Sequence, residues 1–139
     1  MSRTVRSQFL RFALVGVAGF VVDAATLYMV MHTLGAGHYS GRAVSYLAAA
    51  TSTWALNRRY TFIDRRDSNL LREWLKFLAA NAAGGLVNYS VYAALVGTSG
   101  LVAAWPVLGV GAGSIAGLAV NFTLSRHLVF NKHPTAPRN

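Results

Sequence analysis

Two stretches of this chain, Phe77 to Val96 and Pro106 to Leu124, carry no charged residue, and a third, Phe12 to Leu34, is interrupted only by Asp23 and His32. Blocks of this kind restrict the fold more than any motif does. A bilayer core of ~30 Å is crossed by about 20 helical residues at ~1.5 Å each, so each run is long enough to span it. The run Ala43 to Leu56 is shorter, but Arg42 and Arg58 at its ends can snorkel toward the headgroups. The expectation is an all-α integral membrane protein with four transmembrane helices, at about 10–34, 41–58, 74–97 and 104–126. One domain, 8–131, would hold them, with cytoplasmic tails at 1–7 and 132–139. A signal peptide is the weaker explanation of the first run. Arg3, Arg6 and Arg11 form a basic n-region, but the apolar run is too long and no small-x-small cleavage site follows it directly.

A net charge of +9 would suit a nucleic-acid ligand, yet the placement of the charges argues against one. They fall before the first run, between the second and third (Arg58, Arg59, Arg65, Arg66, Arg72, Lys76), and after the fourth (Arg126, Lys132, Arg138). The loop Gly97 to Trp105 has none, and the turn GAGHYSG (35–41) has only Arg42 beside it. This is the positive-inside pattern, with both termini and the middle loop cytoplasmic, in keeping with a bacterial inner membrane. The chain has no cysteine, which excludes disulfides and thiol chemistry.

The longest polar segment is NRRYTFIDRRDSNLLREWLKF, 57–77, in which Leu70, Leu71, Trp74 and Leu75 recur at helical spacing. It is expected to form either a short headgroup-level helix running into the third span, anchored by Trp74, or a solvated connector. FLRFALVGVAGFVVDAATLY overlays EWLKFLAANAAGGLVNYSVY, aligning Phe12 with Phe77, Gly19 with Gly84, Val22 with Val87 and Asp23 with Asn88. TWALNRRYTF overlays NFTLSRHLVF, aligning Leu56 with Leu124, Arg58 with Arg126 and Phe62 with Phe130. Each half reads as two helices and an Arg-aromatic exit. Two spans return the chain to its starting side, so the repeats would be parallel.

Gly16, Gly19 and Asp23 share a face of the first span, and Asn81, Gly84 and Asn88 repeat that spacing in the third. Gly109, Gly113 and Gly117 form a G-x-x-x-G ladder, with Asn121 one turn on, and Ser45, Ala49, Ser52 and Thr53 are small residues of the second span. Asparagines here can be interhelical hydrogen-bonding glue, worth about 0.6 kcal/mol each. A carboxylate at the bilayer centre costs roughly 2.5–3.5 kcal/mol, so Asp23 is expected to be protonated, to face a wet cavity, or to meet a cation. The polar seam is thus Asp23, Asn57, Asn81, Asn88 and Asn121. A second set, Arg11, Arg58, Arg59, Lys76, Arg126 and His127, would gather at the cytoplasmic helix ends, where guanidinium forks bind phosphate. Anchoring to anionic lipid headgroups explains part of that set.

An Asp in the first span, NRRYTF closing the second and SRHLVF closing the fourth together resemble the GtrA-like family, which also forms the membrane region of some dolichyl-phosphate mannose synthases. The resemblance covers roughly 8 to 131. It implies a role in cell-surface polysaccharide synthesis, moving polyprenyl-phosphate-linked sugars between leaflets. Asp23, Asn57, Arg58, Thr61, Phe62, Asn121, Arg126 and Phe130 occupy the family's recurring positions, while Thr53 stands where an Asn is usual.

On this basis Arg58, Arg59 and Arg126 are expected to capture a lipid phosphate, and Asp23, Asn81, Asn88 and Asn121 to offer hydrogen bonds to sugar hydroxyls. No G-x-x-x-x-G-K-[ST] motif, nucleophile–base pair or metal-ligand cluster is present, and His32, His38 and His127 are isolated. The expectation is a non-enzymatic protein without cofactor or metal, whose partners are the sugar lipid and membrane lipids. A partner glycosyltransferase and homo-oligomerisation are left open. Two rivals stand beside it: an adapter that recruits a glycosyltransferase, and a proton-coupled exporter of small cations resembling the small multidrug resistance family.

Overall fold

The structure, a computed structural model, describes residues 3–130. The expected tail at 132–139, with Lys132 and Arg138, lies outside the described residues. No strand occurs among the described residues. The helices are α1 (Arg3–Thr33), α2 (His38–Leu56), α3 (Leu70–Thr98), α4 (Gly100–Ala104) and α5 (Pro106–Leu124). Helices α2 and α5 each continue into a π-helical turn, Asn57–Thr61 and Ser125–Val129.

The outer surface of these helices is apolar. Leu14 (70%), Phe20 (72%), Leu86 (67%) and Ile115 (73%) are all exposed, whereas a protein surrounded by water rarely leaves such large contiguous apolar surface uncovered. Two helical segments, Arg3–Thr33 and Leu108–Val129, are long and apolar enough to cross a membrane. The expectation of four such segments is not met on length and composition alone, because α2 and α3 carry more Ser, Thr, Asn and Tyr.

Several boundaries differ from expectation. Helix α1 already begins at Arg3, so the described part of the expected N-terminal tail is helical; no proline or glycine interrupts that stretch. The helix expected around Trp74 is the start of α3, continuous with the stretch read as the third span. Asn69 caps α3, its side chain accepting from the Arg72 N–H at 3.0 Å, and the helix then runs unbroken to Thr98. The loop after α3 holds one short helix, α4, started by Ser99, and Pro106 opens α5. The α1–α2 turn passes through Gly35 at φ +65°, a conformation that glycine adopts without penalty.

The described chain divides after Ser68 into two compact units, close to where the sequence overlay separates its two halves. In the first, α1 packs on α2 around Phe12, Val15, Val30, Ala50 and Phe62. In the second, α3 packs on α5 around Phe77, Ala80, Phe122, Val129 and Phe130. Phe62 and Phe130 close their π turns with i→i−5 bonds of 2.8 Å, to the Asn57 and Ser125 carbonyls. Each is completely buried and meets the aligned ring of its own unit edge-on: Phe12–Phe62 at 6.1 Å and Phe77–Phe130 at 6.2 Å between centroids. Such pairs add about 0.5–1.5 kcal/mol beyond area burial.

Glycine contacts repeat in the same way. Gly19 lies against Thr53, and its counterpart Gly84 lies against Asn121. Gly41 faces Leu27 and Met31, whereas Gly109 faces Tyr92 and Val102. In the second unit the approach is backbone to backbone. A β-carbon on Gly113 would stand 2.5 Å from the Asn88 carbonyl oxygen, and one on Gly117 2.7 Å from that of Gly84. Gly16, expected on the packed face of α1, is instead exposed with open space beside it.

Candidate functional site

Asp23 lies about three turns before the end of α1, and Arg42 about one turn inside α2. Antiparallel packing brings them together. The Arg42 Nη1 donates to Asp23 Oδ1 at 2.9 Å and Oδ2 at 3.0 Å. Of the three states open to Asp23, the structure therefore supplies a cation from its own chain. Arg42 does not merely snorkel. The exporter alternative, which requires an acid available to a foreign cation, is weakened by the same contact.

At the other end of this unit, Arg11 and Arg59 meet Tyr60 from two sides. Arg11 Nη1 donates to the Tyr60 carbonyl at 3.0 Å. Arg59 donates from Nε to the Tyr60 hydroxyl at 3.2 Å, with its guanidinium carbon 5.6 Å from the ring centroid. Arg58 turns toward the following loop and donates to the Asp67 carbonyl at 3.1 Å. Beside Arg11 opens a cleft of about 330 Å³ lined by Thr4, Ser7, Gln8, Arg11, Thr61, Ile63 and Asp64.

In the second unit, Lys76 lines a groove of about 370 Å³ together with Ala79, Ala80, Leu124 and Leu128. Its ammonium has no hydrogen-bond or ion-pair partner among the described residues. Arg126 Nη1 lies 3.4 Å from Nε2 of the adjacent His127 on the same π turn, Ser125–Val129. The expected cations thus occupy the π-turn end of their own units.

The expected polar seam is only partly present. Asn57 is buried and accepts from the Thr61 hydroxyl at 2.8 Å, so it fastens the π turn instead of facing a path. Asn121 presses on Gly84, its Oδ1 buried with no donor among the described residues. Asn81 and Asn88 are half-buried and make no side-chain hydrogen bond among the described residues. Asn88 opens onto a groove of about 270 Å³ with Gly85, Tyr89, Tyr92 and Val110. His32 stacks on Tyr28 at 4.1 Å, and no group of three metal-ligating side chains occurs among the described residues.

Sequence reasoning passed over Arg42 as a partner, and also over Tyr60 and Glu73. An arginine one turn inside an apolar helix, on a face otherwise free of cations, was the available signal for an acid nearby. Glu73 is fully buried in the first turn of α3, where a carboxylate is favoured by the helix dipole.

Lipid-facing apolar helices with cations grouped at the π-turn ends define a helical membrane protein. The chain belongs to the GtrA/DPMS transmembrane-domain family, whose model matches residues 11–135. That membership associates it with glycan synthesis at a membrane. A search of curated proteins found no match.

Proposed function

We propose that this protein moves a polyprenyl-phosphate-linked sugar across the bacterial cytoplasmic membrane for cell-surface glycan synthesis. In this reading it has four spans, two parallel repeats and cytoplasmic termini, and it makes and breaks no covalent bond. The observation that carries the reading is the Lys76 groove. An ammonium with no partner among the described residues, lining an otherwise apolar trough, fits a phosphate followed directly by a prenyl tail. Arg11 and Arg59, held on Tyr60, add guanidinium donors at the corresponding end of the first unit. The tail stays in lipid throughout, and only the head group needs polar partners, for which Asn81 and Asn88 are open.

The test is leaflet exchange of a fluorescent polyprenyl-phosphate sugar in liposomes containing the purified chain. Exchange faster than in protein-free vesicles is expected, slowed by Lys76→Ala and by Arg59→Ala. Exchange equal to protein-free vesicles would leave the adapter role in its place. Proton-driven uptake of a hydrophobic cation would favour the exporter instead.

A further inference from the structure

The ion pair of the first unit has no counterpart at the matching positions of the second. In the register set by the glycine contacts, Asp23 and Arg42 correspond to Asn88 and Val110. Only Nη1 of Arg42 is engaged. Asp23 is its sole hydrogen-bond partner among the described residues, and the arginine side chain is 55% exposed. The Nη2 and Nε edge therefore still presents the N–H fork that matches phosphate oxygens. Arg42 near the start of α2 and Arg58 in the π turn that follows it stand about 24 Å apart along the axis, most of the thickness of a bilayer core.

We propose that Arg42 is a second phosphate-binding station, at the α1–α2 turn end of the first unit, where Asp23 is the resident anion and a phosphate group the exchanging one. This deepens the lipid-phosphate reading above and rests on it. Phosphate first engages the open edge of the guanidinium and then competes with the carboxylate for Nη1. Asp23 acts as a built-in competitor that speeds release, which is what an exit station requires.

Competition gives a signature that a purely structural ion pair lacks. Phenylglyoxal modification of individual arginines, followed by peptide mass spectrometry, reads each guanidinium separately in the full chain in nanodiscs. Geranylgeranyl phosphate is expected to protect Arg42 in the wild type. Asp23→Asn is expected to lower the half-protecting concentration about tenfold, the size of effect expected when a charged competitor is removed. Inorganic phosphate runs in parallel. Equal protection by both probes identifies free phosphate as sufficient, whereas protection by the prenyl phosphate alone identifies a lipid-borne group; either outcome supports the station. Protection of Arg59 without Arg42 would overturn this inference and leave the proposed function standing. Protection of neither would also overturn this inference, while the proposed function, carried by Lys76, is decided by the leaflet-exchange assay. If Asp23→Asn left protection unchanged or weaker, the pair would be structural only. Should that variant fold poorly, the wild-type comparison of Arg42 with Arg59 still decides the matter.

Discussion

At the scale of single residues, the cost of Asp23 is met by one neighbour. Arg42→Ala would leave the carboxylate without its cation and is expected to destabilise the protein by up to about 2.5–3.5 kcal/mol, the penalty of an unpaired charge in a bilayer. Adding Asp23→Asn should recover most of that loss, and thermal unfolding in detergent checks both variants. The glycines separate just as sharply. Gly113→Ala and Gly117→Ala meet backbone carbonyls and should cost about 1–3 kcal/mol, whereas Gly85→Ala, with open space beside it, should be neutral or gain about 0.5–1 kcal/mol. Asp23 announced itself in the sequence because a lone acid in an apolar run has few explanations. Its partner did not, since only the antiparallel return of α2 brings Arg42 alongside. Gly16 shows the opposite error: spacing put it on the same face as Gly19, but the contact with α2 is made at Gly19 alone.

At the scale of elements, the two π turns are the least expected feature. NRRYTF and SRHLVF were readable as matching exits, but neither contains the glycine or proline that would flag a change of helix type. The turns go with tertiary packing instead: Phe62 at the end of one meets Phe12 of α1, and Phe130 at the end of the other meets Phe77 of α3. The Thr61–Asn57 bond inside the first turn is completely buried. Thr61→Val keeps the shape and removes the donor, leaving the Asn57 oxygen unsatisfied. A loss of about 1–3 kcal/mol is expected, with accelerated amide exchange over 57–62 as the accompanying signature. For the polar stretch before Phe77 the sequence left open a short helix running into the third span or a solvated connector. The Asn69 cap starts one continuous helix, and Glu73 lies buried in its first turn.

At the scale of the whole molecule, the order of apolar blocks and the clustering of positive charge were plain in the sequence because each depends on composition over long windows, and the family was plain from Asp23 and the paired NRRYTF and SRHLVF exits. The seam was not, because burial decides which amides stay open, and two of the five polar groups proved to be fastened by Arg42 and Thr61. The topology can be tested directly, since the chain has no cysteine and a single introduced one is labelled without background. Ser68→Cys should react with a membrane-impermeant maleimide only from the cytoplasmic side, and Ala103→Cys only from outside. Labelling of both from one side would rule out N-in/C-in. The glycine ladder of α5 also sets a limit on motion. Where one main chain rests on another there is no soft side chain to yield, and sliding α5 by a single position would drive a bulkier neighbour into the Gly84 carbonyl. Whatever rocking the proposed transport requires must then treat that hairpin as one stiff stave, its bending confined to the ends.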